Sequence, residues 1–156
     1  MQIYTSYFAN LKTLEEAGIY CVAICSKVPD FFKGPNLESV ALSKSILYEY
    51  KNSQQTDADR EHYRQRYENE ILCAYQFHPE YLTDRLAYFS SVEGNKDVAL
   101  LCYERPEDFC HRHILAEWMN ERLDVNIIEY PDYPKAKDVK PAAKKQETTY
   151  EVNTLF

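Results

Sequence analysis

Apolar residues along this chain fall into short unbroken runs and helically spaced positions, and the two patterns alternate. Residues 19–25 (IYCVAIC) and 97–103 (DVALLCY) are near-continuous apolar runs that read as strands buried on both faces. Residues 3–8 and 125–130 (VNIIEY) predict a first and a last strand. Between the first two runs, residues 11–17 have helical spacing, stopped by Gly18. Asn36 is expected to cap a long helix running to about Lys51. Asp57 or Asp59 is expected to cap a second, to about Cys73, with Tyr63, Tyr67 and Ile71 aligned along one face. A third should run from near His78 to Phe89, and a fourth should take Pro106 as its first residue and continue to about Leu123. Buried strands alternating with helices imply an α/β fold: a single three-layer, Rossmann-like domain with about four mostly parallel strands and helices on both faces.

From residue 131 the pattern changes. Proline and lysine become frequent and apolar residues sparse, so the domain is expected over residues 1–131 and a flexible tail over 132–156. The chain ends on Leu155 and Phe156, an apolar pair that suits either a clip packed on the domain or a peptide that docks a protein partner. The ending resembles motifs that engage bacterial sliding clamps, without their leading Gln.

Composition narrows the function. A chain of 156 residues, 45% hydrophobic, buries a real core, and a net charge of −7 argues against nonspecific trapping of nucleic acid. The five cysteines are odd in number and lie mostly in apolar runs, which fits reduced thiols in a cytoplasm. No apolar run approaches membrane-spanning length, so no membrane partner is expected. Three scattered glycines exclude a dinucleotide fingerprint, and no Gly-rich phosphate loop is present, so no cofactor is expected.

The chemistry concentrates where parallel strands end, since ligands of open parallel sheets bind beyond the strands' carboxyl edge. The first strand ends in Thr5, Ser6 and Tyr7, the second in Cys25, Ser26 and Lys27, the third in Cys102, Tyr103, Glu104 and Arg105, and the last in Glu129 and Tyr130. Cys110, His111, Arg112 and His113 open the helix that follows, where unpaired backbone N–H groups and the helix dipole favour an anion or a thiolate. Glu104, Cys110 and His111 are therefore the candidate reactive groups. Arg112, Cys102, Thr5, Ser6, Tyr7, Ser26, Lys27 and Lys33 are the candidate ligand-binding residues. A buried structural cysteine competes with a nucleophile at Cys110, and an ion pair with Glu104 or Asp108 competes with anion binding at Arg112. Adjacent helical residues diverge by about 100°, so one of His111 and Arg112 is expected to face the pocket. The cysteine and histidine spacings match no common zinc pattern, so no metal is expected, and no Cys-x-x-Cys exchange motif occurs. Arg60, Arg64 and Arg66 interleave with Tyr63 and Tyr67, as a nucleic-acid stacking face would, although Glu61, Glu68 and Glu70 oppose it.

The segment VALLCYERPEDFCHR, residues 98–112, resembles the family catalogued as domain of unknown function 488. An apolar strand, then Cys102 and Glu104, then the Cys110-His111-Arg112 helix start carry the resemblance. The Tyr4-Thr5-Ser6-Tyr7 opening and the loop at Ser26-Lys27-Val28-Pro29 are similar to one of its subgroups. Many members carry Asp-Val-Arg after the second strand where this chain has Ile24-Cys25-Ser26-Lys27, so a role for that Asp or Arg does not transfer. The resemblance implies one α/β domain with the motif residues grouped at one sheet edge, and implies no reaction. Together the residues suggest a pocket for a small anionic or nucleotide-like ligand, in an enzyme acting on nucleotides or nucleic-acid bases. The alternative is a noncatalytic module recognising a protein or nucleic-acid partner.

Overall fold

The structure is a computed structural model that describes residues 1–131; the candidate tail and its Leu155-Phe156 ending lie outside the described residues. Four strands form one all-parallel sheet in the order β2-β3-β1-β4, with β1 at Ile3–Tyr7, β2 at Tyr20–Ala23, β3 at Val98–Cys102 and β4 at Ile128–Glu129. Five α-helices accompany them: α1 Leu11–Glu16, α2 Lys44–Lys51, α3 Asp57–Glu70, α4 Glu80–Val92 and α5 His111–Arg122. The fold is the expected Rossmann-like α/β class, with no helix among the described residues long and apolar enough to cross a membrane.

Strand alternation divides the core in two. Val22, Ile24, Val98, Leu100 and Cys102 face one side, where they meet Ile46 of α2, Tyr63 and Tyr67 of α3, Leu82 and Leu86 of α4, and Ile114 and Leu115 of α5. Cys21, Ala23, Cys25, Ala99 and Leu101 face the other, covered by Phe8, Leu14 of α1 and Phe32. The layers are thus unequal, four helices against one. The connections leaving β1 and β3 run in opposite directions along the sheet, and α1 and α5 lie on opposite faces. Tyr7 and Cys102 are register partners at the ends of these adjacent strands, so the switch point, where such sheets bind ligands, lies beside Cys102.

Several boundaries correct the expectations. The long helix from Asn36 does not form: the segment is a 3-10 turn, Glu38–Val40, followed by α2, capped by Ser43, whose hydroxyl accepts from Ile46 N. Asn36 instead acts as a surrogate strand partner. Its amide accepts from Cys25 N at 3.2 Å and donates to Cys25 O at 2.7 Å. Its own backbone bridges to Ala23. Removing that amide as Asn36→Ala leaves both backbone groups of Cys25 unpaired, and should lower unfolding free energy in urea by about 1–3 kcal/mol; an unchanged midpoint would refute the role. Thr56, rather than Asp57 or Asp59, caps α3, with Asp59 completing a reciprocal capping box. That helix stops at Glu70, and Leu72–Tyr75 follow as a 3-10 turn. The third expected helix begins two residues after His78 and continues past Phe89 to Val92, while β4 is shorter than expected. Pro106 is not helical; α5 begins at His111, with Cys110 as N-cap.

Candidate functional site

The helix α5 begins against the carboxyl end of the sheet because Cys110 is extended (φ −156°, ψ 145°), and its sulfur accepts from Arg112 N at 3.5 Å. A thiol here stands where a serine or aspartate oxygen commonly sits. Glu107 and Asp108 therefore lie outside the first turn, in the loop, where both pair with the exposed Arg105. His111 and Arg112 diverge as expected, yet both are buried, His111 held by the backbone just after β2 and Arg112 by β4.

Arg112 is the hub. It is 0% exposed, and its guanidinium grips the Glu129 carboxylate through two bonds, Nε to Oε1 at 3.2 Å and Nη2 to Oε2 at 2.8 Å. Nη1 donates to Glu104 O at 2.8 Å and contacts the sulfurs of Cys102 at 3.2 Å and Cys110 at 3.6 Å. Thr5 Oγ1 donates to Glu129 Oε1 at 2.7 Å, and the Tyr7 ring lies 5.9 Å from the guanidinium carbon. A bidentate pair with every arm occupied is the arrangement that makes a buried guanidinium tolerable. Its partner is Glu129 rather than Glu104 or Asp108.

His111 Nε2 lies 2.7 Å from the carbonyl of Ile24. A carbonyl only accepts, so Nε2 carries the proton and the Nδ1 lone pair faces Cys110 Sγ, 3.8 Å away. Burial, opposed by the nearby Cys102 charge, holds the imidazole below its usual range, and so neutral.

The two thiols titrate in opposite directions. Burial resists ionisation of Cys102, but the hydrogen bond from Cys110 and the charge of Arg112 oppose it and hold its thiol well below the usual range. Burial pushes Cys110 far up, and the bond to Cys102 and that thiolate's charge push it further. Of the two, Cys102 is the sulfur whose surroundings favour the thiolate, whereas the sequence named Cys110 among the reactive groups and Cys102 among the ligand-binding ones. Glu104, whose Oε1 lies 3.6 Å from Cys102 Sγ, is pushed up to about 9 by burial and by the Cys102 charge. It is a neutral acid at pH 7. It is also more exposed than either sulfur, at 8% against 1% for Cys102.

Other expected site residues sit differently. Ser6 is fully buried and donates to Tyr130 O at 2.7 Å, tying β1 to the chain beyond β4 and not to the thiols. Ser26, Lys27 and Lys33 are exposed on the loop after β2; the carbonyl of Lys27 accepts from Tyr103 Oη, which links that loop to the turn after β3. Glu129 was placed at the sheet edge by the sequence and given no role. Its signal was a lone acid in an apolar strand.

Cys102, Cys110 and His111 offer donor atoms all within 4.8 Å of one another, a set that could hold a soft metal ion. Arg112 Nη1 already contacts both sulfurs, so a fixed positive charge occupies the place a cation would take. On α3, Tyr63 and Tyr67 are fully buried and Arg64 and Arg66 are engaged by carboxylates, which leaves no stacking face there.

A family profile described as "Active DUF488-N3 subclade" matches residues 35–123. The chain belongs to the DUF488 family. The matched region spans β3, the Cys102–Glu104 turn and the Cys110-His111-Arg112 start of α5, and leaves out Thr5 and Glu129. No curated protein and no solved structure matches the chain.

Proposed function

We propose that this DUF488 protein is an enzyme whose nucleophile is the Cys102 thiolate, acting on a small anionic or nucleotide-like substrate at the carboxyl edge of the sheet. The observation that carries this reading is the contact of Arg112 Nη1 with Cys102 Sγ at 3.2 Å, made by a fully buried guanidinium held in a bidentate ion pair. A structural cysteine needs no such cation, whereas a nucleophile at neutral pH does. Glu104 is the proton donor for a leaving group, because its carboxyl keeps its proton at neutral pH. Cys110 supports the thiolate through its S–H, and neutral His111 fixes the geometry through Ile24. The description of the matching subclade as active agrees with catalysis.

Recognition would fall to groups around the rim. Lys27 and Lys33 supply exposed positive charge, and the exposed rings of Phe31 and Tyr103 flank Phe8, with centroids 6.3 and 5.0 Å from it. Flat aromatic faces beside cations suit a nucleotide or a base in nucleic acid. Substrate reaches Cys102 past Glu104, by displacement of the turn at residues 103–108.

Alkylation by iodoacetamide, mapped by mass spectrometry in a Cys73→Ser background, tests this. Cys102 should react with a pH midpoint well below that of a free thiol, and nucleoside monophosphates should slow the reaction. A midpoint at the ordinary thiol value, or one equivalent of zinc in the purified protein, would overturn the reading. Binding of nucleic acid or protein with Cys102 unreactive would favour the noncatalytic alternative.

A further inference from the structure

The sequence lacks a Cys-x-x-Cys motif, yet the fold builds a thiol pair from residues eight apart. Cys102 ends β3 and Cys110 caps α5, with their sulfurs within 4.8 Å of each other and both against Arg112 Nη1. The intervening turn carries exposed Tyr103, Arg105 and Glu107 and is free of regular secondary structure, so it can adjust as the sulfurs close together. We propose that Cys102 and Cys110 form a reversible disulfide by reducing a small hydroperoxide, an activity beyond the reaction assigned above that rests on the same reading of Cys102 as thiolate.

The step balances with groups already placed. The Cys102 thiolate attacks one peroxide oxygen, the O–O bond breaks, and Glu104 gives its proton to the departing hydroxide, which leaves as water. Cys102 is then a sulfenic acid. Cys110 next attacks the Cys102 sulfur; an S–S bond forms, the S–O bond breaks, and a second water departs. The Cys110 proton passes to His111 Nδ1, which faces that sulfur at 3.8 Å and is an acceptor because Nε2–H is committed to Ile24, and from there to the hydroxide leaving Cys102, so that His111 returns to neutral as the second water forms. The two thiols supply the two electrons that reduce the peroxide. An external dithiol restores them by exchange.

Burial sets the oxidant. At 1% and 0% exposure, Cys102 and Cys110 admit hydrogen peroxide more readily than glutathione disulfide. The other buried thiols do not compete, since burial pushes Cys21 and Cys25 up to about 12.

The test treats the full chain with stoichiometric hydrogen peroxide, blocks remaining thiols under denaturing conditions and maps the peptides. The expected product is a Cys102–Cys110 cross-link lighter by two hydrogens, reversed by dithiothreitol, with both thiols lost together. Cys110→Ser, which keeps an effective helix cap, should stop at a dimedone-reactive Cys102 and form no cross-link. Cys102→Ser should leave Cys110 reduced. Both thiols remaining free while exposed Cys73 oxidises, or over-oxidation of Cys102 without a cross-link, would overturn the proposal. A low alkylation midpoint for Cys102 without the cross-link would sink this inference alone; an ordinary midpoint would sink the thiolate reading as well.

Discussion

Replacing Arg112 by methionine should cost about 3 kcal/mol of folding stability in urea, because removing one member of a buried ion pair strands the other. Glu129 would keep its carboxylate against Thr5 with no cation, and is 15% exposed, which limits the penalty. The double variant Arg112→Met, Glu129→Leu should recover much of the loss. Arg112→Lys should recover little, since an ammonium cannot span both carboxylate oxygens and both sulfurs. A second readout separates structure from chemistry: in the single variant the Cys102 alkylation midpoint should rise above that of a free thiol, burial having lost its main opposing charge. If the midpoint does not move, Arg112 is a structural clamp and nothing more.

Glu104→Gln should make the protein more stable at pH 8 than the parent while matching it near pH 4. The folded carboxyl titrates at about 9 against an ordinary value of 4.5. The folded state therefore keeps a proton that the unfolded chain releases. Stability from this group is fully present below the unfolded value and declines as pH rises from about 4.5 to about 9, by at most about 1.4 kcal/mol per pH unit. Glutamine keeps the shape and cannot ionise, so the decline disappears. Cys102, held low, contributes the opposite slope in both proteins and largely cancels from the comparison. Urea midpoints at several pH values check this, and parallel curves would show that Glu104 is ionised in the fold. The same variant should lose the acid step proposed for catalysis.

The strands were legible because burial on both faces leaves no polar residue to interrupt a run, as in residues 19–25 and 98–102. Gly18, with φ +76°, ended α1 where the sequence placed the stop. The segment after Asn36 was misread for a related reason. Leu37, Val40 and Ala41 are spaced to suit a helix, yet Leu37, Val40 and Leu42 anchor an irregular stretch to the core while Asn36 bonds to Cys25, a contact set by tertiary structure. Pro106 satisfied the rule for a first helical residue, but the turn closed by Arg105 and Asp108 delays the helix to Cys110. At the site, the motif residues and their common edge were visible, whereas the surroundings that favour ionisation of one thiol over the other were not. That depends on which sulfur Arg112 touches most closely, and on a carboxylate 17 residues further along the chain.

That carboxylate gives the domain a timing constraint. Glu129 lies on β4, the last strand among the described residues, at the far edge of the sheet from β2, and pairs there with β1. A nascent chain that has emerged from the ribosome only through α5 holds both sulfurs, the histidine and the guanidinium, but not the group that neutralises it. In chain order, the buried guanidinium therefore gains its carboxylate only after every other member of the cluster has been made.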